Sequence, residues 1–233
     1  TNATQNGKKV IPIAVAELTP SPADPLTPVT VPTEFCGLFP RRGMVSGVTF
    51  EAMKGDVYWI ELWSDRLGFP CDPFAVVQRE RSTRGDQGEV LYADVLELGD
   101  SDANPGGSDF SMVTRDPAGR FEAPETGRYR ILVRDLFHAG SGGPSFPYRL
   151  SIRRETPAFT LVALPMQPIR ANDNDRAVHP LAPLLRRGGT ELIRVLVFRR
   201  DGFNGDIALA VEGLSGDLSA APSRIPAGQS VGY

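Results

Sequence analysis

The chain has 233 residues, with 25 Lys+Arg against 28 Asp+Glu, a net charge of −3, 41% hydrophobic and 23% charged residues. This balance excludes a disordered chain, and no apolar run approaches the roughly eighteen residues that a membrane-spanning helix needs. The slightly acidic charge argues against nucleic acid as a partner, because that ligand demands a basic surface.

The 24 glycines and 21 prolines mark a chain of many turns. Residues 1–9 are polar. Val10–Ala16 reads as a strand, with Ile11, Ile13 and Val15 alternating with smaller residues. Thr19–Pro32 is proline-rich and reads as extended linker or sheet edge, because proline lacks the N–H of a ladder. Short strands separated by turns follow: Met44–Glu51, Val57–Ser64, Phe74–Glu80, Val90–Leu98, Gly119–Glu122, Arg128–Asp135 and Phe146–Arg153. Val57–Ser64 is the strongest, rich in β-branched and aromatic residues. Lys54-Gly55-Asp56 and Pro124-Glu125-Thr126-Gly127 read as tight turns, Arg81–Gln87 and Gly99–Ser108 as loops. Period-2 alternation assigns Tyr58, Ile60, Leu62, Tyr129, Ile131, Val133, Tyr148, Leu150 and Ile152 to one shared core.

No run reads as a helix of ten residues or more. The pattern predicts an all-β chain built on an antiparallel β-sandwich or barrel. A boundary falls near Glu155-Thr156-Pro157. Beyond it Phe159–Leu164, Glu191–Arg199 and Ile207–Glu212 read as strands, and residues 226–233 as a turn leading into another. The expected division is an N-terminal strand and linker (1–29), a first β domain (30–155) and a smaller second one (157–233). Three or four strands in about 75 residues are few for a sandwich. The second domain is therefore expected to be cut short or closed by another segment. Candidate covers are Val10–Ala16, the proline-rich stretch or a second molecule, and the exposure of Val195 and Val211 is the test. Thr1 is not a methionine, so the chain reads as a processed or excised piece, and missing targeting signals carry no weight.

Lys54-Gly55-Asp56-Val57-Tyr58-Trp59-Ile60-Glu61 and Pro124-Glu125-Thr126-Gly127-Arg128-Tyr129-Arg130-Ile131-Leu132-Val133 resemble the two signature strands of the bacterial pre-peptidase C-terminal (PPC) domain. The resemblance covers about residues 30–155. It implies a jelly-roll-like β-sandwich that is not itself an enzyme. It also implies an exported protein, secreted, periplasmic or on the cell surface, with calcium or fibrous protein among the ligands of some relatives. The tail, with Asp201-Gly202-Phe203-Asn204-Gly205-Asp206-Ile207, Val211-Glu212-Gly213-Leu214 and Ile225-Pro226-Ala227-Gly228-Gln229, resembles the front half of an immunoglobulin-like repeat. It lacks the strand such a repeat places after the Pro-Ala-Gly-Gln turn.

Nucleophilic catalysis by Ser or Cys usually needs a histidine base, and both histidines, His138 and His179, lie in loop-like sequence. No nucleophile elbow, H-E-x-x-H helix or phosphate-binding loop occurs. Cys36 and Cys71 are too sparse for a zinc cluster. They form either one disulfide, worth about 3–4 kcal/mol by the chain-entropy model, or two separate buried thiols. Arg84-Gly85-Asp86 spells an adhesion tripeptide, which chance supplies in a chain of this length on the order of a few per cent of the time.

Two candidate sites remain. Trp59, Glu61 and Trp63 share one face of a strand, and tryptophan faces stack on sugar rings. The competing reading places both rings under a loop or a neighbouring domain and pairs Glu61 with an outer-face arginine such as Arg130 or Arg134. The loop carrying Asp100, Asp102, Asn104 and Asp109 offers oxygens at alternate positions, as a calcium ion requires. The competing reading is a set of turns whose carboxylates bond their own backbone. The sequence thus favours a non-catalytic extracellular module of a larger exported protein, serving as spacer, adhesion surface or substrate-docking unit. Its partners would be neighbouring domains, polysaccharide or fibrous protein, with calcium as a structural ion. A carbohydrate-binding module built on Trp59 and Trp63 is the alternative. A hydrolase built on paired acids would need a cleft with two carboxyl groups about 5–10 Å apart.

Overall fold

The computed structural model describes residues 4–5, 8–9, 26–84, 88–102, 104, 106–107, 111–137, 142–143, 145–166, 172, 183 and 185–233. The side chains of 4–5, 8–9 and 82–84 are outside this description. The expected strand Val10–Ala16, both histidines, Gly85-Asp86 and Asp109 lie outside the described residues. Among the described residues there is no α-helix, and no helix is long and apolar enough to cross a membrane.

The strands run in chain order as β1 (Thr4–Gln5), β2 (Lys8–Lys9), β3 (Thr27–Pro28), β4 (Thr33–Leu38), β5 (Ser46–Ala52), β6 (Val57–Trp63), β7 (Pro73–Arg84) and β8 (Val90–Leu98). They continue with β9 (Ala118–Glu122), β10 (Gly127–Asp135), β11 (Pro147–Arg154), β12 (Ala158–Pro165), β13 (Ile193–Arg200), β14 (Ile207–Leu209), β15 (Ser223–Ile225) and β16 (Val231–Gly232). The chain forms two compact units, one of Thr1–Asp102 with Val113–Glu155, the other of Ala103–Met112 with Thr156–Tyr233.

The first unit is a β-sandwich. One sheet has the order β3-β5-β10-β7-β8, the other β4-β11-β6-β9. All pairs are antiparallel except β3 with β5, where the proline-rich segment lies parallel along an edge. That is the position proline tolerates, since it withholds a ladder donor. Between the sheets lie all nine residues assigned to the core by alternation, each no more than 2% exposed. Phe50 stacks on Tyr129 with ring centroids 5.7 Å apart, and Phe121 meets both edge-on at 6.0 and 5.2 Å. Across the sandwich the Tyr148 hydroxyl and the Ser46 Oγ are hydrogen-bonded at 2.7 Å. Gly37, opposite Tyr148 in the ladder, has no room for a side chain, because a Cβ there would meet the tyrosine ring at 2.2 Å.

Three departures from the expected elements have physical causes. β4 was not anticipated, because Thr33–Leu38 half-buries alternate residues at a sheet edge and carries no strong apolar period. β7 runs on to Arg84, into the segment read as loop, because β8 still offers it a ladder partner there, Val90 opposite Arg84. β10 buries both faces from Ile131 to Asp135, since Leu132 packs with Val45 and Val76 outside the sandwich core.

In the second unit β12-β13-β16 form a sheet and β14-β15 a two-stranded ribbon. Val197, Ile207 and Ile225 make its core, with Val195, Phe203 and Leu209 packed against them. Val195 is thus partly buried, whereas Val211 is 59% exposed. The Pro-Ala-Gly-Gln turn does introduce a strand: β16 follows it and pairs Gly232 with Val195 and Val231 with Leu196. The residues of the tail motifs hold this fold. Arg199 donates to the carbonyls of Gly205, Pro226 and Gln229, and Asp206 accepts from the Ala227 N–H at 2.8 Å.

The two cysteines are unbridged, Cys36 exposed and Cys71 buried. Burial, reinforced by Asp135, pushes the Cys71 thiol far up, so it is an inert thiol. A thiol-alkylating reagent is expected to modify Cys36 alone in the native protein and both cysteines after unfolding. Mass spectrometry showing neither modified until a reductant is added would establish a disulfide instead.

Candidate functional site

The two signature turns hold each other. At the first, Gly55 adopts a left-handed φ of 85°, which glycine accepts without strain. The Asp56 carboxylate accepts the Met53 N–H at 2.9 Å and closes the turn. Its backbone then docks on the second turn. The Gly55 N–H donates to the Ala123 carbonyl, and the Ala123 N–H donates to the Asp56 carbonyl. The Lys54 N–H donates to Thr126 Oγ1 at 2.9 Å. At the second turn the Tyr129 hydroxyl reaches back to the Glu125 carbonyl at 2.5 Å, a corner that fixes how the chain enters β10. Every polar group of the two motifs named here has a structural partner.

The outer face of the four-stranded sheet carries Trp59, Glu61 and Trp63, all half-buried. Register places Arg153 beside Trp59, Ser151 beside Glu61 and Arg149 beside Trp63. The Arg153 guanidinium lies 5.9 Å from the Trp59 ring, and those of Arg149 and Arg66 lie 5.1 and 5.5 Å from the Trp63 ring. Cations over tryptophan faces are attracted by the ring quadrupole, and they occupy surface a sugar would need. Glu61 pairs with Arg66 at 2.8 Å. The expectation of Arg130 or Arg134 is corrected here: both stand on β10, in the opposite sheet, whereas β6 lies between β11 and β9. Arg130 instead donates to Gln78 and lies over Tyr92.

The acidic loop is divided. Asp100 and Asp102 are exposed and belong to the first unit, Asn104 to the second. Asn104 closes its own loop, accepting from the Met112 N–H and donating to the Gly107 carbonyl, both at 2.9 Å. This is the turn-forming use of the side chain. Among the described residues no three His, Cys, Asp or Glu side chains converge on a common metal position.

Two buried acids went unnoticed in the sequence. Asp116 accepts the N–H groups of Ser64 and Asp65 at one oxygen, and the N–H and Nε of Arg66 at the other. Asp72, which is 1% exposed, is the second. No donor among the described residues reaches either of its carboxylate oxygens. Burial first, and then the negative charge of nearby Asp100, push the Asp72 carboxyl up. Burial does the same to Asp100. The signal for both residues was weak: an aspartate at a strand end looks like any turn residue.

No family model and no curated protein matches the chain. Among solved structures it is similar to the pre-peptidase C-terminal domain of a collagenase from Bacillus anthracis. That match has 12% identity, a TM-score of 0.38 and coverage of 56% of this chain and 96% of the other. It is also similar to CorA, a surface-associated copper-binding protein of Methylomicrobium album BG8. Here the identity is 13%, the TM-score 0.34, and the coverage 55% of this chain and 98% of the other.

Proposed function

We propose that the chain is a non-catalytic extracellular module of a larger exported protein, a spacer or docking unit. The observation that carries this reading is the engagement of the signature residues in one another. Lys54, Gly55, Asp56, Thr126 and Tyr129 hold the two turns together, which is scaffold chemistry rather than turnover. Glu61, the acid on the outer face, is tied to Arg66 and is a poor candidate for acid catalysis. Protease added to intact source cells is expected to digest the chain, and the purified chain to leave peptide, ester and glycoside substrates unchanged. Cytoplasmic protection, or turnover abolished by Glu61→Gln, would overturn the reading.

The face of Trp59 and Trp63 gives a separate expectation. With arginines over both rings, tryptophan emission should not respond to soluble oligosaccharides. A saturable change lost in Trp59→Ala would make carbohydrate binding the function.

A further inference from the structure

An edge strand presents a row of unpaired N–H and C=O groups, and proteins blunt it with charges, proline or shortness. In the first unit the edge strands β4, β8 and β9 carry Glu34, Asp94 with Glu97, and Arg120 with Glu122, while β3 is two residues ending in proline. In the second unit β14 and β15 have three residues each and β16 two. β12 has none of these protections before its last residue, Pro165. It runs for eight residues without a charge, Ala158–Pro165, at the edge of the sheet β12-β13-β16.

The bonds on its inner side show which groups are left over. The Met166 N–H donates to the carbonyl of Leu192, its direct partner when the β12–β13 register continues by one residue. Opposed residues that exchange bonds alternate with residues that do not. The even positions of β12 therefore bond to β13, and the Thr156 N–H just before the strand is taken by Asp201 at 2.9 Å. The N–H and C=O groups of Phe159, Leu161 and Ala163 point to the open edge, where no strand among the described residues meets them. The side chains of these three share the core face with Val195 and Val197. Phe159 lies against Phe203, with ring centroids 5.0 Å apart, yet Phe159 and Leu161 remain 40% and 39% exposed.

Prolines bracket this row. Pro157 precedes β12 and Pro165 ends it, both at odd positions, where proline offers the edge no N–H. Leu161 stands midway between them. An antiparallel self-pairing with its two-fold axis at Leu161 sets Leu161 against Leu161 and Phe159 against Ala163, each pair exchanging both bonds. It sets Pro157 against Pro165, where no bond is needed, and Thr160 against Val162 on the other face. Slipping the pairing either way puts Pro157 or Pro165 against one of the three bonding residues and loses a donor.

We propose that β12 is a self-association edge, at which two copies of this chain join antiparallel into one continuous sheet. The occupant is a second copy because the strand is its own complement. It is uncharged, so a copy brings no like charge opposite, the arrangement that destabilises cross-strand pairs. A charged strand from another protein would meet only apolar and hydroxyl groups. The large Phe159 falls beside the small Ala163, and the proline brackets coincide. A single strand pair buries less than the roughly 1,200 Å² of a stable interface, so the dimer is weak. It is independent of the module reading, since a monomeric spacer remains a spacer.

The test is sedimentation equilibrium of the full chain from about 10 µM to about 1 mM, the range for a weak interface, with a reductant present to keep the exposed Cys36 from cross-linking. A rise from monomer to dimer mass, and no further, is expected. Ala163→Pro removes an outward N–H but no bond to β13, and should weaken association at least about tenfold. Ala208→Lys, on the exposed side of β14, should leave it unchanged. In a Cys36→Ser chain, Leu161→Cys should yield a disulfide-linked dimer on oxidation, because bonded residues opposed at the axis lie about 5.5 Å apart. Monomer mass throughout, growth beyond the dimer, or a dimer that survives Ala163→Pro would overturn the proposal. So would a dimer lost in Ala208→Lys, which would place the contact at β14, or Leu161→Cys chains that dimerise without cross-linking.

Discussion

Tyr129→Ala is expected to destabilise the first unit by about 4 kcal/mol, the usual cost of deleting a buried aromatic ring. Tyr129 is 0% exposed and touches two other rings, Phe50 stacked and Phe121 edge-on, so the cavity would open in the middle of the aromatic cluster. Tyr129→Phe separates the ring from the hydroxyl. It should cost only about 1 kcal/mol, the net worth of one hydrogen bond whose acceptor, Glu125, can turn to water. Both tryptophans of the chain, Trp59 and Trp63, lie in the first unit, so the urea midpoint of tryptophan emission reports that unit alone. Equal costs for the two variants would show that the corner bond rather than the ring fixes the entry to β10. A cost below about 1 kcal/mol for Tyr129→Ala would contradict the packing.

The alternation of Tyr58, Ile60 and Leu62 with Trp59, Glu61 and Trp63 was legible because a half-buried strand repeats every two residues. The same period placed β6, β8, β10 and β11 almost to the residue. Pairing order was not legible. Nothing local in Arg130 or Arg134 says that β10 belongs to the sheet opposite Glu61, since that depends on chain connections over tens of residues. The role of Arg66 was hidden for a related reason: it lies in the short 3₁₀ turn Asp65–Leu67, which folds back over Trp63 only because Asp116 holds it there. Asp72 and Asp100 are 28 positions apart, one just before β7 and the other just after β8. The Asp-rich loop drew notice because its acids are adjacent in sequence, yet the buried acid near Asp100 is the one that sequence proximity does not reveal.

Asp116 makes the other large expectation. Leaving β6, the chain enters a 3₁₀ turn whose first N–H groups have no partner within the turn. Asp116 takes three of them, from Ser64 at 2.7 Å, Asp65 at 2.8 Å and Arg66 at 2.9 Å, and adds the Arg66 Nε at 2.9 Å. Its side chain is 0% exposed. Asp116→Ala would leave these donors facing a cavity and should cost about 3–5 kcal/mol, the range for removing one partner of a buried charged network. Asp116→Asn keeps the shape but turns one acceptor into an NH₂ group that confronts N–H donors, so it should still cost about 2 kcal/mol or more. Arg66→Ala should cost only about 1 kcal/mol, because its side chain is 40% exposed and water screens its pair with Glu61. The emission of Trp63 should also shift in all three variants, since each removes or frees the Arg66 guanidinium, one of the two beside its ring. An Asp116→Asn chain whose urea midpoint and emission match the parent would show that the turn is held by the chain around it, and that the carboxylate only follows.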